Sequence, residues 1–260
     1  MNLSDTDIRD LQYAKSLLEN PGFAARIMNY VGAPIEKGLK MLPSGWASTV
    51  AAATRVSLEK ALMVSLQTLD TGARPIMPQN FFHKCLVVVS GAVGGALGLP
   101  ALAVELPLST CVMLRSVADI ARSQGEQLQT RDAQLACIQV FAMGGRSDKD
   151  DAGESAYFML RAALAKSVTE ALEYVTERSV IEEGAPELIR LIAQIAERFE
   201  INVTEKLAAE CIPLVGAAGG GAINLMFINH FQNMAHGHFI VRRLERAYSP
   251  EVVRATYLRL

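Results

Sequence analysis

Glu105 is the only charged residue in the thirty positions from Cys85 to Leu114. A carboxylate among leucines must be paired with a cation, protonated, or turned to water. Paired, it is a structural lock. Unpaired, it is a general acid or base, or a group that receives a ligand. From Pro100 the chain reads PALAVELPLSTCVMLRSVADIARSQGE. As one helix this puts Glu105, Ser109, Val112, Ser116 and Asp119 on a shared face, with Arg115 four residues before Asp119 for an i,i+4 ion pair. Asp119 is the second candidate carboxylate, yet the helical rise sets it roughly 21 Å from Glu105, so the two do not form one catalytic dyad. Pro107 has no N–H for the carbonyl of Ala103, which leaves a free acceptor beside Glu105. The expectation is a buried Glu105 with a basic or hydrogen-bonding partner, His230 or an arginine.

The histidines are His83, His230, His236 and His238. His236 and His238 are two apart and cannot share a helix face, and no acidic ligand lies in their run. No metal site and no cofactor are expected. Asn224, Asn229, His230 and Gln232 give that run a polar side, which fits a lined cavity or a helix interface better than a lipid-facing span. GxSxG, HExxH and GxxxxGK[ST] are all absent from the sequence. Asp148, Asp150 and Gly153 imitate a calcium loop, but its twelfth position is Met159, which cannot supply the bidentate ligand.

Two segments must position these groups. One is Cys85 to Leu114. The other, Cys211 to Val241, has no Asp, Glu, Lys or Arg. Both carry small residues four apart: Gly91 with Gly95, Gly94 with Gly98, and Gly216 with Gly220. On a helix such a stripe lets a neighbour approach closely, at a cost of roughly 1 kcal/mol per glycine relative to alanine. Membrane insertion is the competing reading, but Gly94, Gly95, Gly98 and Pro100 break the first segment into pieces too short to span.

Around them nearly everything reads as helix: Ser4 to Glu19, Phe23 to Tyr30, Pro34 to Met41, Trp46 to Leu69, Thr130 to about Met143, Glu154 to Arg178, Pro186 to about Phe199, and a last one capped by Ser249 with Pro250 at its first turn. Cys85 to Val89 alone resembles a strand. The exposed loop falls at about 144–153. The prediction is an all-α fold, a single multi-helix domain over 1–260 built around the two glycine-rich apolar helical segments. With a net charge of -2 and mean hydropathy of +0.21, no global field draws nucleic acid. The four cysteines lie in apolar runs without metal spacing and read as reduced thiols of a cytosolic chain. The polar, acidic opening MNLSDTDIRDLQYAK is unlike a signal peptide, so export is not expected.

Near the end, HFIVRRLERAYSPEVVRATYLRL carries Arg242, Arg243, Arg246, Arg254 and Arg259 against Glu245 and Glu251. It is either a charged helix surface or a docking face for anionic lipid headgroups. The candidate ligand-contacting residues are therefore Glu105, Arg115, Asp119, Asn229, His230, Arg242, Arg243 and Arg246.

LEKAL at Leu58 to Leu62, GAVGGALGLPALAVELPLST at Gly91 to Thr110, RSVADIARSQGE at Arg115 to Glu126 and HFIVRRLERAY at His238 to Tyr248 together resemble the EcsC family. The likeness runs from about Leu11 to Tyr257. That bacterial family, named for a gene beside an ABC transporter, has no settled activity, so the resemblance implies no catalytic residues. It implies a cytoplasmic protein working near the membrane. The expected function is non-enzymatic: membrane association, or binding of lipid or another hydrophobic ligand, with a membrane protein as a further partner. The alternatives are a hydrolase using Glu105 and His230, and an adaptor without ligand. A hydrophobic cavity would favour the first reading, and a cleft joining Glu105, His230 and Arg115 the second.

Overall fold

The computed structural model describes residues 3–19, 22–69, 98–144, 155–178, 181–182, 184–212 and 216–260. Among them the chain is all-α, with no strand. The helices are α1 (Asp5–Glu19), α2 (Phe23–Val31), α3 (Ile35–Leu39), α4 (Trp46–Thr68), α5 (Gly98–Ser123), α6 (Arg131–Gln139), α7 (Ala156–Glu177), α8 (Pro186–Glu210), α9 (Gly216–Ala247) and α10 (Pro250–Arg259). A short 3-10 turn, Val140–Ala142, extends α6. Gly91, Gly94, Gly95, the strand expected at Cys85 to Val89 and nearly all of the expected loop lie outside the described residues.

Local chemistry sets most boundaries. The Asp7 N–H donates to Ser4 Oγ at 3.2 Å, so Ser4 caps α1. Gly32, at a φ of 66°, ends α2 in the left-handed conformation that glycine adopts without strain. Thr130 and Ser249 accept from Ala133 N and Val252 N to cap α6 and α10. Pro107 lies inside α5 and the helix runs on through it. Ala103, whose carbonyl loses its donor, is exposed.

One expected boundary is corrected. The helix from Pro186 does not stop near Phe199 but runs to Glu210. Leu188, Leu191, Ile192, Ile195, Phe199, Asn202, Val203 and Lys206 are all buried along it. That stripe keeps helical spacing without a break, and packing carries the helix past its polar residues.

Helices α8 and α9 run through the middle of the fold. α8 packs on α2, α3, α4, α7 and α9, while α9 packs on α1, α2, α5 and α10. The α6 segment from Leu135 to Ala142 is buried along its length. A ring cluster of Phe23, Phe141, Phe199, Phe227 and Phe231, with neighbouring centroids 5.2 to 6.1 Å apart, fills the space between them. Side chains added at isolated glycines would collide. A Cβ at Gly38 would run into the carbonyl of Ala208, and one at Gly237 into Leu18. At Gly221, in the glycine run itself, a Cβ meets nothing within 4 Å. Gly98 and Gly216 open α5 and α9, and Gly220 lies in the first turns of α9. The two helices do pack on each other, joined by Gln232 Nε2 donating to Ser116 Oγ at 2.7 Å.

Candidate functional site

Glu105 is buried and has a basic partner. That partner is neither His230 nor an arginine: Lys206 Nζ of α8 donates to Glu105 Oε1 at 2.7 Å. Glu210, one turn further along α8, approaches the same ammonium at 3.8 Å. The Lys206 side chain is 1% exposed and that of Glu105 8%. Nζ also lies 5.4 Å from the centre of the Phe227 ring. Burial draws the ammonium toward its neutral form, but Glu210 and Glu105 outweigh it and hold the Lys206 pKa above its ordinary value. Burial also raises the pKa of Glu210, against the pull of Lys206. Glu210 Oε1 has no hydrogen-bond partner. The three groups form a closed cluster of two carboxylates and one ammonium.

His230 lies elsewhere. It is fully buried, its Nδ1 is 2.7 Å from Arg26 Nη2, and its ring packs against Phe23 and Phe231. Because the guanidinium is the donor, Nδ1 is the acceptor and the imidazole is neutral. Burial, then the Arg26 charge, holds its pKa down to about 3, against a weaker pull from the Met143 backbone. No hydrogen bond joins Glu105 to His230. His238 is buried too, with Nδ1 2.9 Å from Tyr157 Oη. Arg161 donates to the same hydroxyl at 3.3 Å and grips Glu245 through both nitrogens at 2.6 and 2.9 Å. This network ties α7 to α9.

The expected Arg115–Asp119 pair is corrected. Asp119 accepts from Arg122 at 2.8 Å on the open surface, whereas Arg115 Nη2 donates to Thr68 Oγ1 at 3.2 Å. Arg115 is half-buried, and reaching inward to α4 shields its stem. Asn229 is exposed. Three of the C-terminal arginines are held in ion pairs. Arg242 bonds Glu126 at 2.8 Å and Asp132 at 2.5 Å. Arg246 bonds Glu126 and, at 2.9 Å, the Gln124 carbonyl. Arg243 bonds Asp10 at 2.5 Å. Together they fasten α9 to α1 and to the turn before α6. Among the described residues, no group of three or more His, Cys, Asp or Glu is placed to hold a metal ion.

An opening suited to a ligand lies on a different face. A groove of about 540 Å³ runs between α4, α5 and the start of α8. Leu62, Met63, Val64, Leu188, Ile189 and Ile192 give it aliphatic walls, and Cys111, in no disulfide, contributes from α5. Arg55, Glu59, Lys60 and Gln67 supply the polar lining. Arg55 is paired with Glu59 at 2.9 Å, while Lys60 is exposed and in no ion pair among the described residues. The volume and the mostly aliphatic lining, with a few polar groups, match those of small-molecule sites. None of the eight expected ligand-contacting residues lines it.

Sequence reasoning passed over Lys206, Arg26, Tyr157 and this groove. Lys206 had a signal. It follows Phe199 by seven and Val203 by three, and so falls on the apolar stripe of α8. The groove had none, because its walls come from three helices whose crossing no local pattern reveals.

Residues 23–244 match the model of the EcsC protein family, most of the 260-residue chain. No curated protein and no solved structure matches it.

Proposed function

The chain belongs to the EcsC protein family, and from that premise and the groove we propose that it is a non-catalytic binder of an amphipathic, anionic lipid-like ligand, working at the cytoplasmic face of a membrane. The observation that carries this is the groove: about 540 Å³, walled by aliphatic side chains, with the unpaired Lys60 in its lining. An acyl chain laid along Met63, Leu188, Ile189 and Ile192 leaves water, a gain of about 25 cal/mol per Å² of apolar surface buried. Lys60 then faces the anionic end, with Arg55 beside it. Among the described residues no helix is long and apolar enough to cross a membrane. The non-catalytic part rests on the histidines. His230 and His238 are sealed in the core and face Arg26 and Tyr157 rather than a nucleophile.

Native mass spectrometry of the purified protein is the test, with solvent extraction of whatever it carries. A lipid or fatty acid should copurify. Ile189→Arg, which puts a charge into the aliphatic wall, should abolish it, and Lys60→Glu should reduce it at least several-fold. A protein that carries no such molecule and takes up none from added fatty acid would overturn the reading. So would Ile189→Arg retaining its ligand.

A further inference from the structure

We infer that the edge formed by the end of α2, by α3 and by the start of α4 is the surface that docks on an anionic bilayer. This deepens the membrane-side part of the reading above and does not depend on the groove. Two large apolar residues of this edge stand in solvent: Tyr30 at 52% and Met41 at 46% exposure. α3 and the residue after it add two lysines. Lys37 and Lys40 are exposed, and neither is in an ion pair among the described residues.

The arrangement follows from how α3 is anchored. Ile35 and Gly38 are buried, and a Cβ at Gly38 would strike the Ala208 carbonyl of α8. That side of the helix is fixed inward. Backbone bonds from Lys40 N to Glu36 O and from Met41 N to Gly38 O carry the coil one turn beyond Leu39. Lys37, Lys40 and Met41, spaced i, i+3 and i+4, therefore share one outward side. Gly45, at a φ of 81°, then turns the chain into α4, which begins at Trp46. Trp46 is half-buried and is the only tryptophan of the chain.

Tyrosine, tryptophan and lysine together suit the headgroup layer of a bilayer. The rings are amphipathic, and a lysine stem lies along apolar surface while its ammonium reaches the phosphates. Charge favours anionic lipid. Lys37 and Lys40 against Glu36 leave a local excess of one positive charge on a chain whose net charge is -2. The C-terminal arginines are more numerous, but Arg242, Arg243 and Arg246 are each engaged by Glu126, Asp132 or Asp10. Those three are held in ion pairs, whereas Lys37 and Lys40 are in none among the described residues.

Trp46 makes the test direct. The full chain is mixed with phosphatidylcholine vesicles, with and without phosphatidylglycerol, and read by flotation and by Trp46 emission. A parallel set carries brominated acyl chains. The expected result is flotation with the anionic vesicles only, a blue shift, and quenching by the brominated lipid. Binding should weaken as salt rises, because exposed charges are screened. Lys37→Glu with Lys40→Glu should lower partitioning about tenfold or more, two charge reversals at the surface. Tyr30→Ser with Met41→Ser should lower it without changing the helical circular dichroism signal. Flotation with Trp46 unquenched, or with these variants binding like the wild type, overturns this surface and leaves the membrane-side reading in place. Failure to float on any vesicle overturns both, and the ligand carried by the groove is still read separately by mass spectrometry. Binding of the same edge to another protein, with no partition into vesicles, also overturns it.

Discussion

Lys206 and Arg242 are both cations with two carboxylates about them, at different depths. Lys206 lies in the dry middle of the fold with a side chain 1% exposed, between Glu105 and Glu210. Arg242 is 17% exposed and reaches Glu126 inside and Asp132 outside, with Arg246 sharing Glu126. Each side chain suits its place. The planar guanidinium can bond two carboxylates and still keep an edge to water, whereas the ammonium is a compact charge that a low-dielectric site must surround. The inner cluster has no spare partner, and the outer network has several. Depth and redundancy together set what each is worth.

The largest effect is therefore expected at the inner site. Lys206→Met leaves the buried Glu105 and the half-buried Glu210 without a cation and should destabilise the protein by about 3–5 kcal/mol, the cost of breaking a buried pair from one side. Chemical denaturation measures it. Adding Glu105→Gln and Glu210→Gln to Lys206→Met should recover much of the loss, because the uncompensated charge is then gone. A triple variant no more stable than the single one would show that the cluster is held for shape rather than charge.

Arg242→Gln tests the outer side. Glu126 keeps Arg246, so about 1–2 kcal/mol is expected, the worth of a charge-assisted hydrogen bond or two. The loss should shrink at high salt, since part of the network is exposed. A loss as large as that of Lys206→Met would erase the distinction between the two sites.

A smaller, pH-dependent effect sharpens the inner site. Burial raises the Glu210 pKa above its ordinary 4.5. The sign follows from linkage: a carboxyl that holds its proton more tightly when folded adds stability fully below its unfolded pKa. That stability is lost as pH rises through the folded value. Glu210→Gln should therefore gain stability relative to wild type at pH 8 compared with pH 4. Thermal melts at the two pH values decide it, and a difference that falls as pH rises would mean that Lys206 holds Glu210 as a needed partner.

The same contrast explains what could be read in the sequence. The all-α fold was legible because the caps and breakers are local: Ser4, Thr130, Gly32 and the Ser249–Pro250 start each fix a boundary with their own atoms. The burial of Glu105 was legible from the absence of any other charge nearby. Its partner was not, since Lys206 stands 101 residues away and only the crossing of α5 and α8 brings it in. The glycine spacing was visible, but among the glycines whose surroundings are described, those that cannot take a side chain without a clash are Gly38 and Gly237, isolated in sequence, and Gly144 beside Gly145. What makes them necessary is a neighbouring helix or side chain, which no one-dimensional pattern contains. The groove was hidden for the same reason.

The weakest case lies on the surface and sets the scale for the other two. Asp119 and Arg122 form a pair at 2.8 Å, shorter than the Lys206–Glu210 approach at 3.8 Å, yet their side chains are 73% and 59% exposed. Water already solvates both groups when they are apart, and holding them together costs rotamer freedom. A double-mutant cycle with Asp119→Asn and Arg122→Gln should give a coupling of about 0.5 kcal/mol or less, against several kcal/mol for a cycle between Glu105→Gln and Lys206→Met. If distance alone governed ion-pair strength, the Asp119–Arg122 coupling would approach that of Glu105 and Lys206, whose separation is 2.7 Å. A large surface coupling would therefore mean that burial is not what separates these sites. A small one beside a large inner one ties the strength of the Glu105–Lys206 pair to the removal of water that the crossing of α5 and α8 brings about.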